Sequence, residues 1–445
     1  FNTAIGTNAL GAETSSADGC TAIGHGALAT QNRLNSRNTA IGYNALTALQ
    51  ATAGSAYGGV QNTVVGYEAG GTGVFGGTNG QGDNNTLLGF QAGKAMTTGS
   101  ANTCLGDRAG TAMLTAAENV IIGKSAGALL TDNGGNVAVG FQALDGCNGG
   151  EHYNVAIGYN ALGTDIAGST YCVAIGTNAL AAQDETNFNT AIGGLAGDAI
   201  EGGGLNTYVG YLAGSASVDT DWNTALGHMA YAKGTGANNT VIGGGAGSSS
   251  GNSGTAMSGD NNVLVGQLAG YALTTGPGNT LIGKSAGQAM TTGTYNTAIG
   301  YSAAAGMVGT SHGNTAIGTN ALLAEVSGAD WCVAIGMGAL ESQNHADAIN
   351  FAMGTSAGAS ITEGTQNVLI GHQAGNALVD VNGHTAVGYN ALKLATGGSN
   401  TAIGSEALAQ LGAGSNNTAL GFKALYEADN EESYNTAIGY RALHT

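Results

Sequence analysis

A chain of 445 residues with 81 Gly, a single Pro, 9% charged residues and a formal net charge of −18 excludes several classes at the outset. One proline and no Gly-X-Y period exclude collagen, and 42% hydrophobic residues with so little charge argue against a disordered chain. Ten Lys and Arg against 28 Asp and Glu leave too few cations to neutralise a nucleic-acid backbone or an anionic bilayer. No run approaches the ~18 apolar residues of a membrane span, so the expectation is no nucleic-acid partner and no membrane insertion.

The chain is one repeat from end to end. Asn2-Thr3-Ala4-Ile5-Gly6-Thr7-Asn8-Ala9-Leu10 opens it and Asn435-Thr436-Ala437-Ile438-Gly439-Tyr440-Arg441-Ala442-Leu443 closes it. Aligned on the glycine there are 25 copies, spaced 16 to 18 residues apart except for three steps of 23 or 24. A period of this size is read as a solenoid, with residues 1–445 as one continuous array. The glycine is numbered 0 below.

Position −4 is Asn in 21 copies, Cys in three and His384 in one; −3 is Thr in 17, Val in seven and Phe351 in one. Position −1 is always aliphatic or Met, and +3 is Ala in all 25. A β-branched run ending in Gly predicts a strand of four or five residues, its −3 and −1 side chains on one face and −4 and −2 on the other. Neither face reads as solvated, which predicts strands buried on both sides. Position −2 is large in nine copies, and in all nine +4 is Gly; among the 16 copies with Ala at −2, +4 is Leu in 12. The two positions therefore compete for one space, which requires the segment after the glycine to fold back over the −4/−2 face. Asn at −4 in successive coils is expected to form a buried amide ladder, including Asn2, Asn38, Asn154, Asn296 and Asn435 beside Gly6, Gly42, Gly158, Gly300 and Gly439.

In chain order, Gly6 to Gly42 head Leu-type repeats. Two insertions follow, Ala51–Val60 (within residues 47–61) and Gly71–Asp83 (within 71–84). Gly66 to Gly123 are Gly-type, with room for a single helical or 3₁₀ turn in segments such as Ala92–Gly99. Gly140 to Gly176 are Leu-type, and Gly193 to Gly283 mostly Gly-type, with the third insertion at Ser248–Asp260 (within 248–261). From Gly300 the copies are largely Leu-type. Cys20, Cys172 and Cys332 share position −4 and lie too many coils apart to pair, so no disulfide or metal framework is expected. The start at Phe1 inside the motif is read as a processed product or a piece of something longer. The absence of polar caps leaves ends that could stack on neighbouring chains.

Motifs resembling catalytic signatures dissolve into the repeat. Gly278–Ser285 matches the phosphate-loop pattern, but its second glycine is the repeat glycine. Ser125, Ser285 and Ser356 match a nucleophile elbow only as the +2 residue of G-x-x-A-G. No acid–base pair recurs, so no enzyme activity and no cofactor are expected. Position +1 is often aromatic, and Tyr43, Tyr67, Tyr159, Tyr211, Tyr301, Tyr389 and Tyr440 define a candidate surface stripe, expected to pack on neighbouring coils or between chains, or else to stack on sugars.

The unit Asn-Thr-Ala-Ile-Gly-x-x-Ala is similar to the head repeats of trimeric autotransporter adhesins. With Thr97-Thr98-Gly99-Ser100 and Thr291-Thr292-Gly293-Thr294 it resembles still more the repeat regions of phage tail-fibre-like proteins. The resemblance implies a parallel β-roll, three chains wide. The expected fold is thus an all-β parallel solenoid of about 25 repeats, as a homotrimeric extracellular rod on the order of 120 Å long at ~4.8 Å per coil. The expected function is a shaft or receptor-binding region on a virion or cell surface. The alternatives are an end-to-end filament or a glycan- or ice-binding solenoid; ice binding needs an exposed Thr column, against which the Thr–Val exchange at −3 speaks.

Overall fold

In the computed structural model the chain is described apart from residues 14–17, 32–35, 50–58, 72–80, 147–149, 165–167, 185–187, 250–254, 325–329, 428–432 and 445, and apart from the side chains of 13 and 31. Most of the first two insertions and the middle of the third lie outside the described residues, as does Cys147.

Every copy of the motif forms one strand, three residues long rather than the four or five expected, spanning −3 to −1. The strand stops because the glycine that follows adopts φ between +124° and +144°, a region that side chains disfavour. Space enforces the same choice: a Cβ on Gly158 would lie 2.5 Å from the carbonyl oxygen of Gly176, and one on Gly300 2.6 Å from that of Gly318. The glycines are stacked backbone on backbone, so no side chain fits between them.

The chain divides into two compact units, Phe1–Trp222 and Asn223–Thr445. The first holds twelve of these strands and the second thirteen, and each unit is a parallel β-solenoid. Pairing is in register, like with like: Thr21 with Thr39, Ala22 with Ala40 and Ile23 with Ile41 in the first unit, Thr297 with Thr315, Ala298 with Ala316 and Ile299 with Ile317 in the second. Two further backbone ladders tie the coils. The +2 N–H donates to the preceding coil's +1 carbonyl, as from Asn44 to His25 at 2.9 Å, and the +4 N–H donates to the following coil's Ala +3 carbonyl, as from Leu46 to Ala69 at 3.0 Å. A small second sheet joins Ala12–Glu13, Thr30–Gln31 and Ala48–Leu49. There is no helix among the described residues. Ala92–Gly99 instead contains isolated turns, such as Met96 N–H to Gly93 C=O at 3.1 Å.

The core lies between the −4/−2 face and the returning +3/+4 segment, and the competition read from the sequence is visible as contact. A Cβ on Gly93 would meet Leu87 at 2.9 Å, on Gly287 Leu281 at 2.7 Å, and on Gly375 Leu369 at 2.8 Å. In the other coils Ala at −2 leaves room for Leu at +4, fully buried at Leu28, Leu46, Leu144 and Leu162. Those leucines sit at φ of +47° to +55°, a left-handed conformation that costs about 1–2 kcal/mol. Burying the side chain contributes about 1.5–3 kcal/mol, enough to hold it there. The Gly-type coils avoid this strain and fill the core instead from −2 and from +7, where Met96, Met113, Leu130 and Met290 are buried.

Burial on both strand faces, as expected from the sequence, does not hold within one chain. Between the first and last coils the −4 and −2 side chains are buried, whereas −3 and −1 point outward and are half-buried or exposed, as at Val120, Leu226, Ile299 and Leu420. The physical reason is that each coil has one interior, which the −4/−2 face occupies.

Candidate functional surfaces

The −4 asparagines are joined from coil to coil by hydrogen bonds. Along the first unit Asn62 N–H donates to Asn38 Oδ1 at 2.8 Å, Asn85 to Asn62 at 2.8 Å, Asn102 to Asn85 at 3.0 Å, Asn119 to Asn102 at 3.1 Å, Asn136 to Asn119 at 2.9 Å and Asn154 to Asn136 at 2.9 Å. In most coils the amide Nδ2 then donates to a carbonyl in the corner of the next coil: Asn38 to Gly59 at 2.7 Å, Asn154 to Ser169 at 2.7 Å, Asn296 to Ser311 at 2.8 Å; Asn239 Nδ2 donates instead to Tyr231 Oη at 3.1 Å. Donor and acceptor are both used, so these buried amides are satisfied rather than poised for chemistry. Asn2 is exposed but accepts from Cys20 N–H at 3.0 Å, and the half-buried Asn435 donates its N–H to Asn417 Oδ1 at 2.9 Å.

The substitutions in this column keep its geometry. His384 continues the ladder by donating its own N–H to Asn367 Oδ1 (2.9 Å) and by accepting Asn400 N–H at Nδ1 (3.1 Å). Its Nε2 is buried without a partner, and burial lowers its pKa to about 4. Cys20, Cys172 and Cys332 occupy the same column as buried thiols outside any disulfide, Cys20 Sγ lying 3.4 Å from Ser36 Oγ and Cys172 Sγ accepting from Gln183 Nε2 at 2.9 Å. Cys104 at −2 is likewise buried, and desolvation pushes its thiol up to about 12, which suits packing and not nucleophilic attack.

The candidate aromatic stripe is resolved into short stacks. Tyr43 and Tyr67 stack at 5.1 Å between His25 and Phe90, Tyr159 stacks on Phe141 at 5.6 Å, Tyr389 on His372 at 5.6 Å and Tyr440 on Phe422 at 5.4 Å. Tyr211 lies instead against Gly194, and Tyr301 stands between Lys284 and Thr319 in the column. All seven tyrosines are exposed, but where they stack their faces cover one another and the edges meet solvent. That geometry serves packing between neighbouring coils and leaves few faces for a sugar.

A second aromatic column escaped the sequence reading. Position −5 carries Tyr153, Tyr171, Phe188 and Trp222 in the first unit and Tyr295, Trp331 and Tyr434 in the second, all exposed and all at φ near +60°. Tyr153, Tyr171 and Phe188 stack at 5.2 and 5.5 Å. Before Tyr153, Tyr295 and Trp331 a glycine makes room: a Cβ on Gly135 would lie 2.7 Å from Tyr153, on Gly278 2.6 Å from Tyr295, and on Gly313 2.7 Å from Trp331; Trp222 and Tyr434 follow Leu205 and Asn416 in the column. The signal was present in the sequence as aromatics one residue before the Asn, but variability at −5 masked it.

Of the signature-like motifs, Gly278–Ser285 runs through the strand Thr280–Ile282 into turns rather than a helix. Ser125, Ser285 and Ser356 are ordinary left-handed +2 residues with φ of +53° to +58°. Among the described residues no group of three or more His, Cys, Asp or Glu is gathered to hold a metal, and no helix is long and apolar enough to cross a membrane. No protein-family model matches the chain, and no curated protein matches it.

Proposed function

We propose that the protein is a structural, adhesive element of an extracellular fibre, of the kind found in viral tail fibres or bacterial surface adhesins, and that it acts as a homotrimer closed through the outward strand face. One observation carries this reading. The −3 and −1 rows run outward through all 25 strands with Thr, Val, Phe, Ile, Leu or Met at every position and no charged residue. A chain with net charge −18 that keeps this one face free of charge keeps it for association. Thirteen strands of about 10 Å, spaced ~4.8 Å apart, make a face on the order of 600 Å² per unit. Each unit's face thus approaches the ~800 Å² per partner of a standard interface. A flat, repetitive face closes most simply around a rotation axis.

The test is the mass in solution by sedimentation or light scattering. The expected value is three times the 43.3 kDa of one chain, and the paired change Val155→Asp with Ile157→Asp should dissociate it while leaving the circular dichroism unchanged. A monomeric wild type would overturn the reading. The same rows favour a second one. Seventeen threonines at −3 recur on the outward strand face and are half-buried or exposed, which removes the burial that spoke against water ordering. Thermal hysteresis in the wild type, abolished by Thr297→Lys, would support ice binding over self-association.

A further inference from the structure

In the second unit the +1 and +2 columns that follow the glycine are interrupted at one place. Position +2 carries a polar residue or a lone glycine in most coils, yet five successive coils read Leu195, Leu212, Met229, Gly245 and Leu268, and at +1 the last three carry His228, Gly244 and Gln267. Gly243-Gly244-Gly245 is the one coil in which both positions lack a side chain. The result is an open cleft of about 450 Å³, lined by His228, Met229, Gly244, Leu268, Gln267 and Tyr271. A Cβ on Gly244 would find nothing nearer than the His228 carbonyl at 4.0 Å.

The dimensions of this cleft follow from the repeat. His228 and Gln267 are two coils apart, about 10 Å at the ~4.8 Å strand spacing. Elsewhere in the +1 column rings in adjacent coils stack at 5.1 to 5.6 Å. Leaving one ring out therefore leaves a gap one ring thick, with His228 on one side, Gln267 on the other, and Met229 and Leu268 as apolar walls, Leu268 Cδ2 reaching to within 3.0 Å of a Cβ built on Gly245. Methionine sulfur and stacked planes favour an aromatic guest.

We propose that this cleft is a binding site for a single planar aromatic ring, a phenol or an indole, which completes the interrupted column by stacking between His228 and Gln267. The inference does not depend on the fibre reading, since the cleft lies within one chain.

Ligand-observed saturation-transfer NMR on the full chain tests it, with p-cresol and indole as probes and methyl glucoside as the non-aromatic control. Saturable binding of both aromatics is expected, and Gly244→Tyr, which places a ring in the gap as other coils do, should weaken it by about tenfold or more. Position +1 bears tyrosine in many coils, so this change is compatible with the backbone. Leu268→Gln provides a second variant, because Gln91, Gln142 and Gln373 occupy the same +2 position at the same φ, and it should also weaken binding. N-acetyltyrosine amide and N-acetyltryptophan amide separate the sources: tighter binding than the free rings assigns the site to a protein side chain, equal or weaker binding to a free small aromatic. Absence of saturable binding in the wild type, undiminished binding in folded Gly244→Tyr and Leu268→Gln, or tighter binding of methyl glucoside than of p-cresol would overturn the proposal.

Discussion

Within the first unit, the coils headed by Gly66 to Gly123 and those headed by Gly140 to Gly176 share a backbone and fill it from opposite sides. In the former a large −2 residue such as Leu87 or Ile121 projects from the strand, and glycine at +4 gives way. In the latter Ala138, Ala156 and Ala174 recede, and Leu144, Leu162 and Leu180 project back from the returning segment at positive φ. The interior volume is conserved while its owner changes. The backbone ladders thus define the coil, and the side chains only have to sum to the right volume.

Two copies break the pairing rule in sequence, with Ala at −2 and Gly at +4, and both obey it in space. A Cβ on Gly197 would lie 3.0 Å from Tyr208, and one on Gly358 2.7 Å from Leu369, each the −2 residue of the next coil. Where a large −2 side chain leans into the preceding coil, that coil also gives up its leucine.

The largest expected effect attacks what the two coil types share. Gly158→Val places a side chain against the Gly176 carbonyl at a φ of +136°. It should cost on the order of 4 kcal/mol or more, seen as a collapse of the denaturation midpoint or loss of folded protein. Next comes the exchange between types. Leu162→Gly should cost about 3–5 kcal/mol as a cavity and Ala156→Leu alone about 1–3 kcal/mol as overpacking, whereas the double variant turns one type into the other and should recover most of the loss. Additive losses in that double-mutant cycle would break the comparison.

A smaller effect tests whether the −4 column is as exchangeable as the −2/+4 pair. His384 is held neutral, its pKa lowered by burial to about 4, against roughly 6.5 when unfolded. Because the unfolded chain takes up the proton first, the stability His384 allows is complete above about pH 6.5. It falls as pH drops toward 4 and levels off below, by an amount on the order of 3 kcal/mol. His384→Asn keeps an acceptor in the ladder, so the difference in midpoint between the two proteins should appear only as pH falls through that window. The smallest effect belongs to the exposed stacks: Tyr67→Ala, with Tyr43 at 5.1 Å and Phe90 at 5.3 Å, should lower stability by about 0.5–1.5 kcal/mol in the same denaturation assay.

The sequence by itself determined the repeat, the parallel solenoid, the asparagine ladder and the exchange between −2 and +4, because each depends on like residues stacked one coil apart, and an in-register repeat places them so. What only the tertiary structure decided is everything set by a neighbour out of phase or by the shape of one coil. The strand is three residues long because stacked glycine backbones end it. The −3/−1 rows face outward because one chain has a single interior. Three of the −5 rings lie over glycines 17 or 18 residues back, Tyr153 over Gly135, Tyr295 over Gly278 and Trp331 over Gly313, and the cleft at Gly244 exists only because the flanking coils carry side chains where this one has none.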